Sequence, residues 1–186
     1  MNLIAIEAAV KELITAIGDD PDRPGLKDTP ARVAKMFTEI FAGVGVSPEE
    51  DFKLYRIDNQ DEMILIKDIP FYSICEHHLL PFWGTVSIAY IPNNNLITGF
   101  SNLIRVVDNF ARRLQVQERM ATEIADFLVD KLKPMGVIVI IEAQQMCIAM
   151  QGERKEASKT ISSAMRGVLR KTPTRMEALS LLSKNI

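Results

Sequence analysis

Met63-Ile64-Leu65-Ile66-Lys67-Asp68-Ile69 and Val86-Ser87-Ile88-Ala89-Tyr90-Ile91 are short runs rich in β-branched residues, bounded by Pro and Asn, and both read as strands. Between them lies Ser73-Ile74-Cys75-Glu76-His77-His78, a strand end and loop. The chain has only two histidines and two cysteines, and three of these four soft ligands stand between positions 75 and 78. A strand pair with a ligand cluster in its connection is the centre of this sequence.

Upstream, Leu3, Ile4, Ile6, Ala9, Val10, Leu13, Ile14 and Ile17 recur at helical spacing. A turn-rich connector, Asp19 to Pro30, follows. Thr29 is predicted to cap a second helix with Pro30 at its first position, running from Ala31 to Phe41. Residues 1–50 therefore read as an N-terminal helical hairpin. Downstream, Ser101 is predicted to cap a helix reaching Leu114, and a second helix covers Gln117 to Leu132, stopped by Pro134 and Gly136. Val137 to Ile141 and Met146 to Met150 read as a second strand pair, and Arg175 to Leu182 as a short helix. Residues 51–186 thus run strand, strand, helix, helix, strand, strand. That order makes an α+β unit, an antiparallel four-stranded sheet with a helical pair on one face. Its open edges must be capped or paired, and a ring of identical subunits would do so.

At 186 residues and 47% hydrophobic content, the chain has enough apolar surface for a real core. Its 22 basic and 24 acidic residues form no basic tail or stripe, which argues against nucleic acid as a partner. No apolar run approaches the ~20 residues that span a bilayer, so no membrane partner is expected. Residues 1–17 carry acidic and basic side chains, unlike a signal peptide. Two cysteines in such a chain are expected to be reduced thiols in the cytoplasm.

Cys75 and His78 are separated by two residues, a spacing that lets one turn converge both on an ion, with Cys147 arriving from the second strand pair. Three protein ligands of this kind leave a fourth tetrahedral position open to water, the arrangement of a catalytic zinc. Two plainer readings stand beside it. The cysteines form a disulfide, or Cys147, between Met146 and Ile148, is a buried hydrophobe. His77 alternates away from His78, so it projects beside the metal, where an imidazole moves protons, or it is simply a surface histidine. Glu118, in Gln115-Val116-Gln117-Glu118-Arg119, has two oxygens that match the N1–H and exocyclic amine of a guanine. On position alone, however, it reads as a carboxylate favoured at a helix N-terminus. Arg105, Arg112 and Arg113 line the preceding helix, either as phosphate contacts or as a solvated face.

Cys75-Glu76-His77-His78-Leu79-Leu80-Pro81-Phe82, Ile88-Ala89-Tyr90-Ile91-Pro92 and Phe110-Ala111-Arg112-Arg113-Leu114-Gln115-Val116-Gln117-Glu118-Arg119 together resemble the GTP cyclohydrolase I family, as does Asp28-Thr29-Pro30-Ala31-Arg32-Val33-Ala34-Lys35-Met36. The likeness covers nearly the whole chain. It implies the tunnelling fold for residues 51–186 and a toroidal homodecamer with active sites between subunits. It also implies Zn2+ on Cys75, His78 and Cys147, with His77 as the adjacent acid/base. Glu118 would anchor guanine with Gln117 beside it, while Ser101, Arg105 and an Arg32 from a neighbouring subunit would contact ribose or triphosphate. The implied reaction starts with zinc-activated water attacking C8 of GTP, continues through ring opening and loss of formate, and ends in dihydroneopterin triphosphate.

Three positions depart from the family pattern. Asn102 stands where a lysine is usual, Gln145 where a histidine is usual and Gln151 where an arginine is usual. Asn102 and Gln151 subtract two cations from a phosphate site, where charge-assisted bonds are about twice as strong as neutral ones. Gln145 neither gives nor takes up a proton at neutral pH. These changes keep three readings open: a GTP cyclohydrolase I that grips phosphate with Lys155 or Lys159, a paralogue acting on a less phosphorylated purine or stopping at the ring-opened stage, and a non-enzymatic zinc-binding member.

Overall fold

The structure, a computed structural model, describes residues 1–50, 52–151 and 158–183. The chain opens with helices α1 (Leu3–Ala16) and α2 (Thr29–Ile40), which pack on each other. Asn2 caps α1 by accepting the Ala5 N–H through Oδ1. The N-cap of α2 is Asp28 rather than Thr29, so Pro30 occupies the second helical position, where its missing N–H is one of the helix's unpaired donors anyway.

Short strand β1 (Leu54–Arg56) precedes β2 (Ile64–Cys75) and β3 (Pro81–Ile91). Both long strands extend further toward the Cys-Glu-His-His turn than their β-branched runs suggest. They pair antiparallel, with a bulge between Ile66 and Ile69 where Asp68 takes φ 56° and donates its N–H to Ser87 Oγ. Strand β4 (Leu96–Thr98) pairs with β1 in a separate two-stranded ribbon.

Helix α3 (Phe100–Ala111) follows, and its N-cap is Gly99, not Ser101. The helix also stops short of Leu114, because Leu114 and Gln115 form β5 (Leu114–Gln115) and pair parallel to Ile74 and Cys75. Helix α4 (Gln117–Leu132) then leads to β6 (Gly136–Gln145), which pairs with β3 along its whole length.

The fourth strand is not Met146–Met150. That segment begins with a helical turn, α5 (Met146–Ala149), where the chain leaves β3. The fourth place belongs to β7 (Thr160–Gly167), antiparallel to β6. The sheet order is β5-β2-β3-β6-β7, so the expected four antiparallel strands gain a short parallel fifth.

Alternation sorts the core. Phe71, Phe82, Val86, Ile88, Val139 and Ile141 face α3 and α4, whose Leu103, Val107, Ile124 and Leu128 fill the space between. Each such side chain contributes about 1.5–3 kcal/mol on burial. The other face is not bare: α6 (Thr172–Ser183) lays Ala178, Leu179 and Leu182 over Ala89, Ile91 and Ile138. A Cβ at Gly84 of β3 would stand 1.9 Å from the Glu142 carbonyl oxygen of β6, so glycine alone admits this approach near the site. Among the described residues, no helix is long and apolar enough to cross a membrane.

Candidate active site

Register carries the candidate metal ligands to one end of the sheet. Ile74 pairs with Pro81, and Phe82 pairs with Gln145, so the end of β2 and the end of β6 flank the start of β3. The connection from Cys75 to Leu80 is closed by two backbone bonds, Leu79 N–H to Cys75 O at 2.9 Å and Cys75 N–H to Leu80 O at 2.8 Å. Leu79 sits at φ 55°, a conformation that costs a branched side chain about 1–3 kcal/mol and that the closed turn enforces. The result sets Cys75 Sγ 3.9 Å from His78 Nδ1. Turn α5 returns Cys147, and the three donor atoms lie within 4.8 Å of one another. Both cysteines are free thiols. Burial pushes the Cys147 thiol up, and the adjacent Cys75 adds to the shift.

Glu76 braces this turn against α4. Its Oε2 accepts a charge-assisted bond from the Arg119 guanidinium, which holds the Glu76 carboxyl below the usual carboxylate range. Arg119 also donates to Gln115 Oε1 at 3.1 Å and to Leu114 O at 3.1 Å, tying the turn to β5. The other Glu76 oxygen lies 3.7 Å from Nε2 of His77, whose ring is exposed. The sequence held a signal for this brace in the adjacency of Glu76 to the histidines and of Arg119 to Glu118.

Glu118 stands exposed in the first turn of α4, and its carboxylate has no partner among the described residues. A family model described as GTP cyclohydrolase I matches residues 6–183. The chain belongs to the GTP cyclohydrolase I family. Similar curated proteins include GTP cyclohydrolase 1 of Carboxydothermus hydrogenoformans, 53% identical over 95% of this chain and 93% of that protein. GTP cyclohydrolase 1 of Desulforamulus reducens is 47% identical over 99% of both chains. Among solved structures, the archaeosine synthase QueF-Like in the apo form aligns with 56% of this chain and 93% of its own at 18% identity, with a TM-score of 0.45.

In this GTP cyclohydrolase I chain the other residues that the sequence marks as candidates fall into two groups. Ser101, Arg105 and Glu118 are exposed on α3 and α4. Arg32 is exposed on α2 and pairs with Asp28 at 3.3 Å. Gln117, beside Glu118 in sequence, turns inward and is only 2% exposed, with its amide bonded to β6 and β7.

The three departures differ in placement. Asn102 is 3% exposed and built into the fold. Gln145 is half-buried, with Oε1 3.6 Å from Cys147 Sγ. Gln151 is exposed just beyond α5. Lys159 is tied to Glu142 at 2.6 Å, and Lys155 lies outside the described residues. Thr160, which bonds both Gln117 and Gln145, carried no signal in the sequence, because an isolated threonine has no diagnostic spacing.

Proposed function

We infer that the protein is a zinc-dependent GTP cyclohydrolase I, which uses water to open the imidazole ring of GTP at C8 and yields 7,8-dihydroneopterin triphosphate and formate. The observation that carries this reading is the convergence of Cys75, His78 and Cys147 in a member of that family. The donor set fits zinc. With Zn–S near 2.3 Å and Zn–N near 2.0 Å, tetrahedral ligand atoms stand about 3.5–3.8 Å apart. The observed 3.9 Å between Cys75 Sγ and His78 Nδ1 is close to that, and two thiols with one imidazole form a soft set that suits the metal. Zinc held there by Cys75, His78 and Cys147 would lower the pKa of a bound water to about 7 and so supply a nucleophile at neutral pH.

The chain's own groups do the rest. Glu118, unpartnered and exposed, accepts the N1–H and exocyclic amine of guanine and fixes the purine's orientation. Gln117 supports that helix end from inside. His77 has Nε2 beside Glu76, which leaves Nδ1 to carry a proton to or from the opening ring. Ser101, Arg105 and Arg32 of a neighbouring subunit contact the ribose and the triphosphate. The domain reading is a helical hairpin over residues 1–50 and a tunnelling-fold unit over residues 51–186.

A decameric ring is supported by the sheet's edges. Beyond Ile74 and Cys75, β2 has no partner on its outer side among the described residues, and β7 has none on its own. Tyr72 and Ile161, on these outer strands, are 75% and 69% exposed. Pairing between identical subunits removes both edges. Two free thiols accord with the cytoplasm.

One observation favours a second reading, a purine with fewer phosphates: Asn102 faces inward and Lys159 is already paired with Glu142, so neither position offers a free cation to a triphosphate. Incubation of the zinc-loaded protein with GTP tests the main reading through formate release. Formate equimolar with GTP consumed is expected. No formate from GTP, with guanosine monophosphate turned over instead, establishes the second.

A further inference from the structure

Among the described residues, two buried side-chain oxygens lack a hydrogen-bond partner, Ser73 Oγ and Ser162 Oγ. Native folds rarely leave a buried hydroxyl unpaired, so both call for an explanation. They stand on opposite sides of the sheet, Ser73 on the open side of β2 just before β5 begins to pair, and Ser162 on β7. Three strand spacings, about 14 Å, keep them apart within one subunit. Both lie on the helix-covered face, because Ser73 pairs with Phe82 and Ser162 with Ile141, two residues of the core under α3 and α4. Ser73 also lines a cavity of about 570 Å³ along the β2 edge, beside Ile40, Pro70 and Arg112.

Strand direction and backbone both allow the two edges to join. β2, β3, β6 and β7 are antiparallel in turn, so β7 of one copy runs antiparallel to β2 of the next when the sheet continues around a ring. Cys75 donates its N–H to Leu80 O on the β3 side. Antiparallel pairing alternates, so Ser73 also turns its backbone toward β3, while Tyr72 turns N–H and C=O outward. The same alternation, carried across β3 and β6, faces Ser162 toward β6 and turns Ser163 outward. Registers that join outward groups to outward groups set Ser73 opposite an even-numbered residue of β7. Thr160 already spends its hydroxyl on Gln117, and Ala164 has none. Ser162 alone satisfies both unpaired hydroxyls at once. In such a pair, with backbone groups facing away from the junction, the Cα atoms come within about 4.5 Å and the side chains meet. The same register brings Tyr72 and Ile161 of the partner subunit, both exposed on the other face, into diagonal reach.

We propose that neighbouring subunits join edge to edge, β2 against β7, in the register that pairs the Ser73 hydroxyl with Ser162 of the partner subunit. The proposal rests on the ring reading above and adds the contact that fixes how the strands slide. Pro70, with no N–H to give, and β5, already on Ile74 and Cys75, bound the junction at its two ends, so the ladder is short and the serine pair sets its register.

Disulfide trapping tests it. Zinc-loaded Ser73→Cys/Ser162→Cys is left to oxidise in air beside Ser73→Cys/Ala164→Cys and the wild type, and linked peptides are identified by mass spectrometry. Opposed positions suit a disulfide, whose Cα atoms stand about 4.4–6.8 Å apart. Links between chains through positions 73 and 162, several-fold in excess of those through 73 and 164 and absent from the wild type, are expected. An assembled protein in which 73 and 162 do not link, or link no better than 73 and 164, overturns the proposal and leaves the ring standing. Wild-type protein that stays monomeric in light scattering overturns both. If the cysteine variants do not fold, subunit dissociation decides. Ser73→Ala and Ser162→Ala should each weaken association by roughly 5–100-fold at a junction, and the double variant no more than either alone, because all three lose the same bond. Single variants that associate like wild type, or effects that add in the double variant, overturn the proposal.

Discussion

Asn102 Oδ1 accepts a hydrogen bond from the guanidinium of Arg105, one helical turn along α3. Its Nδ2 meanwhile donates to Lys53 O at 2.9 Å and to Thr98 Oγ1 at 2.8 Å. Asn102, one of three residues that depart from the family's pattern, is therefore a joint between α3, β4 and the segment before β1. Asn102→Leu strands buried polar partners, which typically costs about 1–3 kcal/mol, and it releases Arg105. Denaturant unfolding should show that loss, and the KM for GTP should rise. An unchanged unfolding midpoint would contradict the role given to Asn102.

His77 has its assigned role beside the ligands and not among them. His77→Asn should lower kcat by about 10²–10⁴-fold, the usual contribution of a general acid or base. Zinc per chain, read by elemental analysis, should not change. Lost zinc would make His77 a ligand or a structural support instead.

Glu118 offers two unpartnered carboxylate oxygens to a guanine edge. A hydrogen bond to a charged group is worth about 1.5–3 kcal/mol, so Glu118→Ala should reduce kcat/KM for GTP by roughly 10–100-fold or more. The melting temperature should hardly move, since the carboxylate has no partner among the described residues to lose. Equal kcat/KM in variant and wild type would remove Glu118 from the site.

Away from the site, Asp19 is held at about 2 against the usual 3.8, first by the side-chain bonds from Arg23 and then by the Asp20 N–H. A carboxylate depressed by folding adds stability that is present above the unfolded value and lost as pH falls through the folded one, here from 3.8 toward 2. The pair is exposed, so its effect on global unfolding is small. Arg23→Gln should move the Asp19 titration, followed by carboxyl NMR, back up toward 3.8.

The legible parts of this chain were those with a local signature. β2 and β3 show as β-branched runs, α4 as a stop at Pro134 and Gly136, and the ligand cluster as scarce residue types crowded together. β7 has no such signature, because Thr160-Ile161-Ser162-Ser163-Ala164-Met165 alternates weakly and buries only Ala164. Met146 to Met150 is apolar enough for a strand, yet β3 has already been paired through Gln145 and no partner remains. Gly99 took the cap expected of Ser101 because its extended backbone leads directly into Phe100. The Gln117–Thr160–Gln145 network spans three elements and up to 43 residues, and neutral amides at such separations leave no pattern to read.

The central claim is turnover of GTP by a metal held on Cys75, His78 and Cys147. Mass spectrometry of the products from zinc-loaded protein and GTP tests it most directly, with chelator-treated protein and Cys147→Ser measured in parallel. Dihydroneopterin triphosphate and equimolar formate from the loaded wild type, and neither product from the other two, is the predicted result. Intact GTP from the zinc-loaded wild type, or the same product from Cys147→Ser, would contradict it.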